Sequence, residues 1–236
     1  MTAIALRSTR GAIAIARCAM VAGVLLAAIA FFDLRQQFLV WQAEQVLAGV
    51  DAAIARGDIA AVRSFVAGVD DLDRNLPPRA AVYRALALAS NASVSPAGAA
   101  RTHQLAIARA EINLAMASRP DWGEAQLTSA YIGLISNGRQ PTPLVLKDFA
   151  ASYRNTAFLR DAARWRAGAG LALWPQLDPA TRTRVIDEAV LLARLSPGDR
   201  PAMFDAARRS GGYFDFAKVW LDTRRDDADL KRQPPT

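Results

Sequence analysis

The stretch that decides the fold is AARTHQLAIARAEINLAMASRPDWGEAQLTSAYIGLIS, residues 99–136. Apolar residues recur every three to four positions on both sides of Pro120: Leu105, Ala108, Ile112 and Ala115 before it, and Leu127, Ala130 and Leu134 after it. This spacing is typical of amphipathic helices, and proline ends a helix because it lacks the backbone N–H and clashes with the preceding turn. The stretch therefore predicts two helices, over 99–118 and 123–136, joined by a short turn.

The same alternation of helix and turn continues in both directions. Further helices are predicted over 38–54, 59–66, 80–90, 144–153, 157–173, from 179 to just before Pro197, 201–209 and 214–221. Residues 70–78 read as a polar connector and residues 91–98 as a loop, and Asp178 is placed to cap the helix that begins at Pro179. No segment alternates with the period of two that a strand requires, so the fold class is all-α.

Part of the helical pattern is repeated 77 residues later in the chain. The matched pairs are Glu111 and Glu188, Leu114 and Leu191, Pro120 and Pro197, Ala125 and Ala202, Ala130 and Ala207, and Leu127 and Phe204. A recurring period of this kind predicts stacked units that bury their apolar faces against one another. Glu111 and Glu188 are expected to form structural salt links because they occupy equivalent positions.

Over residues 99–221 the chain resembles the tetratricopeptide family and its irregular relatives. Ala108, Ile112 and Ala115, counted back from Pro120, match that family's small, large and small positions in the second helix of a unit. The Gly-Tyr pair of the first helix is only loosely matched by Ala130-Tyr131, and the loop lengths vary. The resemblance implies a stack of antiparallel helix pairs with a groove for a peptide or partner protein and no catalysis of its own.

The N-terminal residues form a membrane-targeting segment. Arg7, Arg10 and Arg17 precede an uncharged apolar run over residues 18–32, which ends at Asp33. This pattern fits either an uncleaved signal anchor or a signal peptide cleaved near Ala28-Ile29-Ala30. We favour the anchor, with residues 18–32 in lipid and the N-terminus in the cytoplasm because the positive charges lie on that side. The predicted organisation is a cytoplasmic N-terminus and anchor over 1–35, an exported domain over 36–222 and a flexible tail over 223–236.

Composition restricts the class of protein further. The chain has a formal net charge of +7, and removing the three targeting arginines leaves +4 on the exported part. These charges are scattered along helices, so a solvated surface is expected in place of a nucleic-acid site. A surface for an acidic glycan or for lipid headgroups is the alternative. Only Lys147, Lys218 and Lys231 are lysines, against 26 arginines, a bias that suits a GC-rich bacterial genome. The single cysteine, Cys18, lies in the anchor, so the exported part has no disulfide.

No catalytic, cofactor or metal site is predicted. His103 is the only histidine and is expected on a helix surface. One buried glutamate among Glu44, Glu111, Glu124 and Glu188 would be the minimum for a glycan-cleaving enzyme. Three aromatic residues are the candidates for contact with a partner: Trp122, Tyr131 and Trp165. For Trp122 and Trp165, and for Trp174 on the same predicted helix as Trp165, core packing is favoured over contact with a partner.

Three hypotheses about function follow from these observations. The first is a periplasmic helical-repeat scaffold, anchored in the bacterial inner membrane, that binds protein partners of an envelope complex. The second is an accessory or binding subunit of envelope polysaccharide synthesis or export. The third is a glycan-cleaving enzyme that uses one carboxylate.

Overall fold

A computed structural model describes the backbone of residues 3–70, 76–160 and 162–230, and the side chains of residues 19–67, 76–160 and 162–225. Within these ranges the chain forms α-helices and one short 3-10 turn and no strand, which confirms the all-α prediction. The helices are α1 (Ala3–Ala55), α2 (Ile59–Asp70), α3 (Pro78–Val94), α4 (Ala99–Ser118), α5 (Gly123–Ser136), α6 (Pro143–Asn155), α7 (Ala163–Ala172), α8 (Pro179–Leu195), α9 (Arg200–Ser210) and α10 (Tyr213–Leu230), with the 3-10 turn at Trp174–Gln176.

The chain divides into two compact units, Met1–Arg84 and Ala85–Thr236. The first unit is built on α1, which runs without a break through residue 35, where the sequence predicts the end of the anchor. The stretch Ala19–Ala55 of this helix is long and apolar enough to cross a membrane. The side chain of Cys18, the first residue of the predicted lipid-embedded run, lies outside the described side chains.

The second half of α1 is part of the packed core of this unit. Val50 and Ala53 of α1 and Val62 of α2 are fully buried, and the two helices are in contact. Earlier in the same helix, Ala43 lies in a cluster with Ala80 and Tyr83 of α3. The helix α1 therefore has two successive segments: an exposed apolar segment first, and then a segment whose apolar side chains are buried.

The second unit is held together by one continuous apolar core contributed by α5 to α10. Its largest fully buried apolar side chains include Phe149, Leu171, Val185 and Phe216. Helices contact their neighbours in the chain (α4 with α5, α5 with α6, α7 with α8, α8 with α9, α9 with α10) and also the helix after next (α6 with α8, α7 with α9, α8 with α10).

Several helix boundaries agree with the sequence prediction because local signals set them. The bounds of α4 and α5 are those predicted, and α8 begins at Pro179. The Asp178 carboxylate accepts hydrogen bonds from the Thr181 amide at 2.9 Å and the Thr181 hydroxyl at 2.6 Å. These bonds satisfy groups that the first turn of α8 would otherwise leave unpaired.

Other boundaries differ from the prediction. Residues 91–94, predicted as a loop, belong to α3, where the buried Asn91 side chain donates a hydrogen bond to Gln104 at 2.9 Å. Helix α7 begins at Ala163 in place of 157, and Trp174 lies in the separate 3-10 turn. Helix α10 extends to Leu230 into the segment expected to be a flexible tail. Residues 71–75 of the connector and 231–236 of the tail lie outside the described residues.

The helix ends follow the 77-residue spacing of the sequence. Helix α4 ends at Ser118 and α8 ends at Leu195, while α5 begins at Gly123 and α9 begins at Arg200, a difference of 77 residues in both cases. Ala130 and Ala207, one of the matched pairs, are both fully buried.

Candidate functional site

The interior of the second unit contains a buried ionic network that fixes α6, α7 and α8. The Arg166 side chain donates from Nε to both carboxylate oxygens of Glu188, at 2.9 and 3.1 Å. The Tyr153 hydroxyl donates to the same carboxylate at 2.7 Å. The Arg166 guanidinium also lies 4.1 Å from the centre of the Tyr153 ring. The structural salt link predicted for Glu188 is thus observed.

The same guanidinium explains why α7 starts later than predicted. It donates to the backbone carbonyls of Thr156 at 3.0 Å and Ala157 at 3.1 Å. In a helix over 157–173 these two carbonyls would accept hydrogen bonds from backbone amides of that helix. In the structure they accept from the Arg166 side chain instead. Arg166 therefore stabilises the non-helical approach to α7 as well as the contact with α8.

The electrostatics of the network hold Tyr153 in its neutral form. Burial and the negative charge of Glu188, which accepts its hydrogen bond, raise the pKa of Tyr153 well above the usual value of a tyrosine, although the Arg166 charge acts in the opposite direction. Because the Glu188 carboxylate is paired with Arg166 and accepts a hydrogen bond from Tyr153, the arrangement around it is that of a structural link between helices.

Two of the three candidate aromatic residues meet at the surface. Tyr131 of α5 and Trp165 of α7 pack edge to face, with ring centroids 5.1 Å apart and an interplanar angle of 82°. Trp165 precedes Arg166 in the helix, and successive side chains in a helix point about 100° apart. Since Arg166 is directed into the core, Trp165 is held at its edge, and 38% of it stays exposed, whereas Trp174 is only 8% exposed. Trp174 is thus a core residue.

The third candidate, Trp122, lies just before α5 and away from this pair. It is the half-buried residue that precedes the helix, with the Arg119 guanidinium 5.9 Å from its ring centre. Nine residues separate it from Tyr131, which corresponds to about 13 Å along a helix axis. The structure therefore groups Tyr131 with Trp165 and places Trp122 nearer the start of α5.

Sequence reasoning missed Arg166 and Tyr153. A signal for Arg166 was present, because it falls among Ala163, Ala167 and Gly170, the residues that form the buried side of α7. An arginine on an apolar helix face requires an internal acidic partner. Nothing local indicates Tyr153, since its role depends on contact with α8, 35 residues further along the chain.

The chemistry-bearing residues singled out in the sequence are otherwise dispersed. His103 is exposed on α4, as expected, and Glu44 is exposed on α1. Among the residues that the structure describes, no group of three or more histidine, cysteine, aspartate or glutamate side chains is placed to hold a metal ion.

Comparisons with known proteins leave the function to be argued from the structure itself. The sequence matches no protein-family model. Neither the curated proteins nor the solved structures include a significant match.

Proposed function

We propose that this chain is a single-pass scaffold of the bacterial inner membrane whose helical-repeat unit binds a protein partner of an envelope complex in the periplasm. The observation that carries the proposal is the division of α1 into an exposed apolar segment and a buried segment of the same continuous helix. The first is suited to lipid and the second to a folded domain.

The exposed segment of α1 has the properties of a membrane anchor. Eleven large apolar side chains between residues 20 and 41 are more than half exposed: Met20, Val21, Val24, Leu25, Leu26, Ile29, Phe31, Phe32, Leu34, Phe38 and Trp41. So many exposed apolar side chains on one helix are unfavourable in water, and lipid would cover them. Phe38 and Trp41, whose rings are 5.8 Å apart, fit the interface, where aromatic side chains concentrate.

The continuity of α1 favours an anchor that is retained. The helix passes through Ala28-Ile29-Ala30, the alternative cleavage site, into residues that pack against α2. Arg7, Arg10 and Arg17 precede the apolar segment, so the positive-inside rule directs the N-terminus to the cytoplasm and the second unit to the periplasm.

The arrangement of the second unit supports the tetratricopeptide-like reading. The main contacts between helices of this unit join a helix to the next one or to the helix after next, as expected of a stack in which every unit touches only its neighbours. The shared 77-residue spacing of helix ends and of the buried Ala130 and Ala207 supports a repeated unit of two helix pairs. Such stacks are used for binding extended protein segments.

The Tyr131–Trp165 pair is the proposed point of contact with the partner. Tryptophan and tyrosine are enriched among residues that dominate binding energy, because they bury a large area with few rotatable bonds. The Trp165 ring packs against Tyr131, and the helix that carries it is linked to α8 by the Arg166–Glu188 pair, so little conformational freedom is lost when a partner covers it.

Site-specific photocross-linking in living cells tests the proposal. A photoreactive phenylalanine analogue replaces Trp165 or Tyr131 in the full-length chain, and the exposed Phe214 and the buried Trp174 serve as controls. We expect one membrane-associated protein to be cross-linked from positions 165 and 131 and from neither control. Absence of a specific adduct at both positions, or adducts of equal yield at Phe214, would contradict the partner-binding role.

Fractionation and topology tests address the anchor separately. We expect the protein to stay in membranes after alkaline carbonate extraction and to keep residues 1–30. We also expect a C-terminal alkaline phosphatase fusion to be active and a β-galactosidase fusion to be inactive. Recovery of a shortened chain in the soluble periplasm would establish the cleaved-signal alternative, and purified chain would then be tested for binding to acidic glycans.

A further inference from the structure

The face of α10 that points away from the core carries a stripe of exposed side chains. Its six members are Phe214, Asp215, Lys218, Leu221, Asp222 and Arg225. They recur every three to four residues, so they share one side of the helix, opposite the fully buried Phe216. We call this set the α10 stripe. Phe214 is 85% exposed and Leu221 is 57% exposed, so the stripe presents apolar as well as charged groups to solvent.

The charges of the α10 stripe are arranged symmetrically about position 220. Lys218 lies two residues before this position, and Asp222 lies two residues after it. Asp215 lies five residues before it, and Arg225 lies five residues after it. Each charge therefore has the opposite charge at its mirror position. A stripe of this kind is complementary to a second copy of itself that runs in the opposite direction.

Two α10 helices that pack antiparallel about a two-fold axis near position 220 satisfy this pattern. The axis brings Lys218 of one copy opposite Asp222 of the other, and Asp215 opposite Arg225, and each pair occurs twice. Leu221 lies beside the axis and so meets the Leu221 of the second copy. In a parallel pair Lys218 would instead meet Lys218, and Arg225 would meet Arg225, which is unfavourable because like charges repel.

The ends of the helix agree with the antiparallel direction. Helix α10 continues to Leu230, and the sequence of these last turns is acidic at Asp226, Asp227 and Asp229. The antiparallel direction brings these turns beside the start of the second copy's α10, which follows the exposed Arg209. An acidic end of one helix is thus paired with the basic approach to the other.

We propose that the α10 stripe is a contact surface for a second copy of this chain, with the two α10 helices antiparallel. The stripe itself has two acidic and two basic residues, so it has no net charge. Anionic lipid or an acidic glycan would favour a face with an excess of basic residues. The alternation of charge about one position is what a two-fold pairing requires.

The contact is small, so we expect it to depend on the membrane anchor. Six side chains in each copy are fewer than the roughly 20–30 residues a side of a standard protein interface. Anchoring of two copies in one membrane raises their effective concentration and so favours a weak contact. The inference goes beyond the proposed function and takes from it only the anchor in α1.

Cysteine cross-linking in isolated membranes tests the inference. The full-length chain carries Cys18→Ser, which removes its single cysteine, together with either Leu221→Cys or Leu144→Cys. Leu144 of α6 is the matched control, because it is 56% exposed. A short bismaleimide reagent joins thiols that lie close together. We expect a covalent dimer of this chain at position 221, at least about tenfold above the yield at position 144, because only position 221 has its counterpart within reach.

Exchange of charges within the stripe tests the antiparallel pairing. Lys218→Asp places like charges opposite each other in both copies, so the dimer yield at position 221 should fall at least about fivefold. Adding Asp222→Lys restores opposite charges and should return the yield to within about twofold of the original. Lys147→Asp makes the same change on α6 and should leave the yield unchanged. Unchanged melting curves of these variants would show that the fold is retained.

Other results would overturn the inference. These are equal dimer yields at positions 221 and 144, a dimer that persists in Lys218→Asp, no recovery in the double variant, or capture of a different protein at position 221. In the photocross-linking experiment, an adduct of Phe214 with a second copy is recognised by its mass and counted apart from adducts with another protein.

The self-contact and the partner-binding function fail independently. A partner adduct at Trp165 without a dimer at position 221 would reject the self-contact alone. A dimer at position 221 without any partner adduct at Trp165 or Tyr131 would reject the partner-binding function alone.

Discussion

Arg166 of α7 and Glu188 of α8 form an ion pair inside the protein, with only 0% and 2% of their side chains exposed. The remaining hydrogen-bonding capacity is taken up by the Tyr153 hydroxyl and by backbone carbonyls before α7. Charges buried in this way are tolerated because they are paired and fully hydrogen-bonded. The pair thereby fixes the relative position of α6, α7 and α8, on which the orientation of Trp165 depends.

Loss of the negative charge at position 188 should destabilise the protein strongly. In Glu188→Gln the Arg166 charge stays buried without compensation, so we expect the free energy of unfolding to fall by about 3–5 kcal/mol. Urea unfolding of the full-length protein in mild detergent, followed by circular dichroism, measures this change. The control is Asp205→Asn, which removes the exposed Arg208–Asp205 pair and should cost less than about 1 kcal/mol. Equal effects of the two variants would contradict the structural role of the buried pair.

Tyr153 should make stability sensitive to alkaline pH. Its pKa is raised in the folded protein, so above the usual tyrosine pKa of about 10 the unfolded chain loses this proton first. The stabilisation from the protonated hydroxyl is therefore complete below pH 10 and is lost as the pH rises towards the folded-state pKa. We expect wild type to exceed Tyr153→Phe in unfolding free energy at pH 8 and the difference to shrink by pH 11. A difference that is constant between these pH values would show that Tyr153 does not contribute in this way.

As a helix cap, Asp178 should contribute more to the free energy of unfolding than Thr142. Asp178 receives two hydrogen bonds from Thr181, at 2.9 and 2.6 Å, whereas the Thr142 hydroxyl accepts one from Val145 at 3.4 Å. We expect Asp178→Ala to lower the unfolding free energy by about 1–2 kcal/mol and Thr142→Ala by less. Thermal unfolding of both variants measures the two costs, and the reverse order would contradict the geometry.

The contribution of Asp178 to stability should decrease at acid pH. Its hydrogen bonds to Thr181 lower the pKa of Asp178, so its contribution is complete above the unfolded-state value near 3.8 and is lost as the pH falls through the lower folded-state value. Asp178→Asn keeps a capping oxygen without the charge. We expect the difference in stability between wild type and this variant to decrease from pH 5 to pH 2, and a difference that does not change would exclude the charge as its source.

Substitution by alanine at two glycines of α7 should change stability in opposite directions. A Cβ added at Gly170 would lie 2.5 Å from Cγ2 of Val185, whereas a Cβ at Gly168 would meet nothing within 4 Å. We expect Gly170→Ala to cost about 1–3 kcal/mol, because α7 and α8 must separate. Gly168→Ala should stabilise by up to about 1 kcal/mol, because alanine favours the helix. Melting temperatures of the two variants provide the test, and stabilisation by Gly170→Ala would show that the helices are not in close contact there.

The sequence predicted the elements whose ends are set by neighbouring residues. The bounds of α4 and α5 and the start of α8 follow from Pro120, from the spacing of apolar residues and from the Asp178-Pro179 cap, all of which act within one or two helical turns. The exposed apolar part of α1 is likewise predicted from composition alone, because a long uncharged apolar run is typical of a membrane-spanning or signal segment.

Boundaries that depend on distant contacts were not predicted. Helix α3 includes Asn91 because Gln104 accepts a hydrogen bond from its side chain, and α7 starts at Ala163 because Arg166 engages the carbonyls before it. The partner in each contact has no local signature. An asparagine or arginine in the sequence indicates only that a polar partner is required, and not which residue supplies it.

The sequence by itself determined an apolar N-terminal helix, an all-α fold and most helix positions, since these follow from local propensity, capping and periodicity. The tertiary structure decided which tryptophan is exposed and which residues pair with Glu188. Trp165 and Trp174 are both large apolar residues near the same helix, and only packing against α5 and the core separates their roles. These outcomes depend on contacts between different helices, which local patterns do not encode.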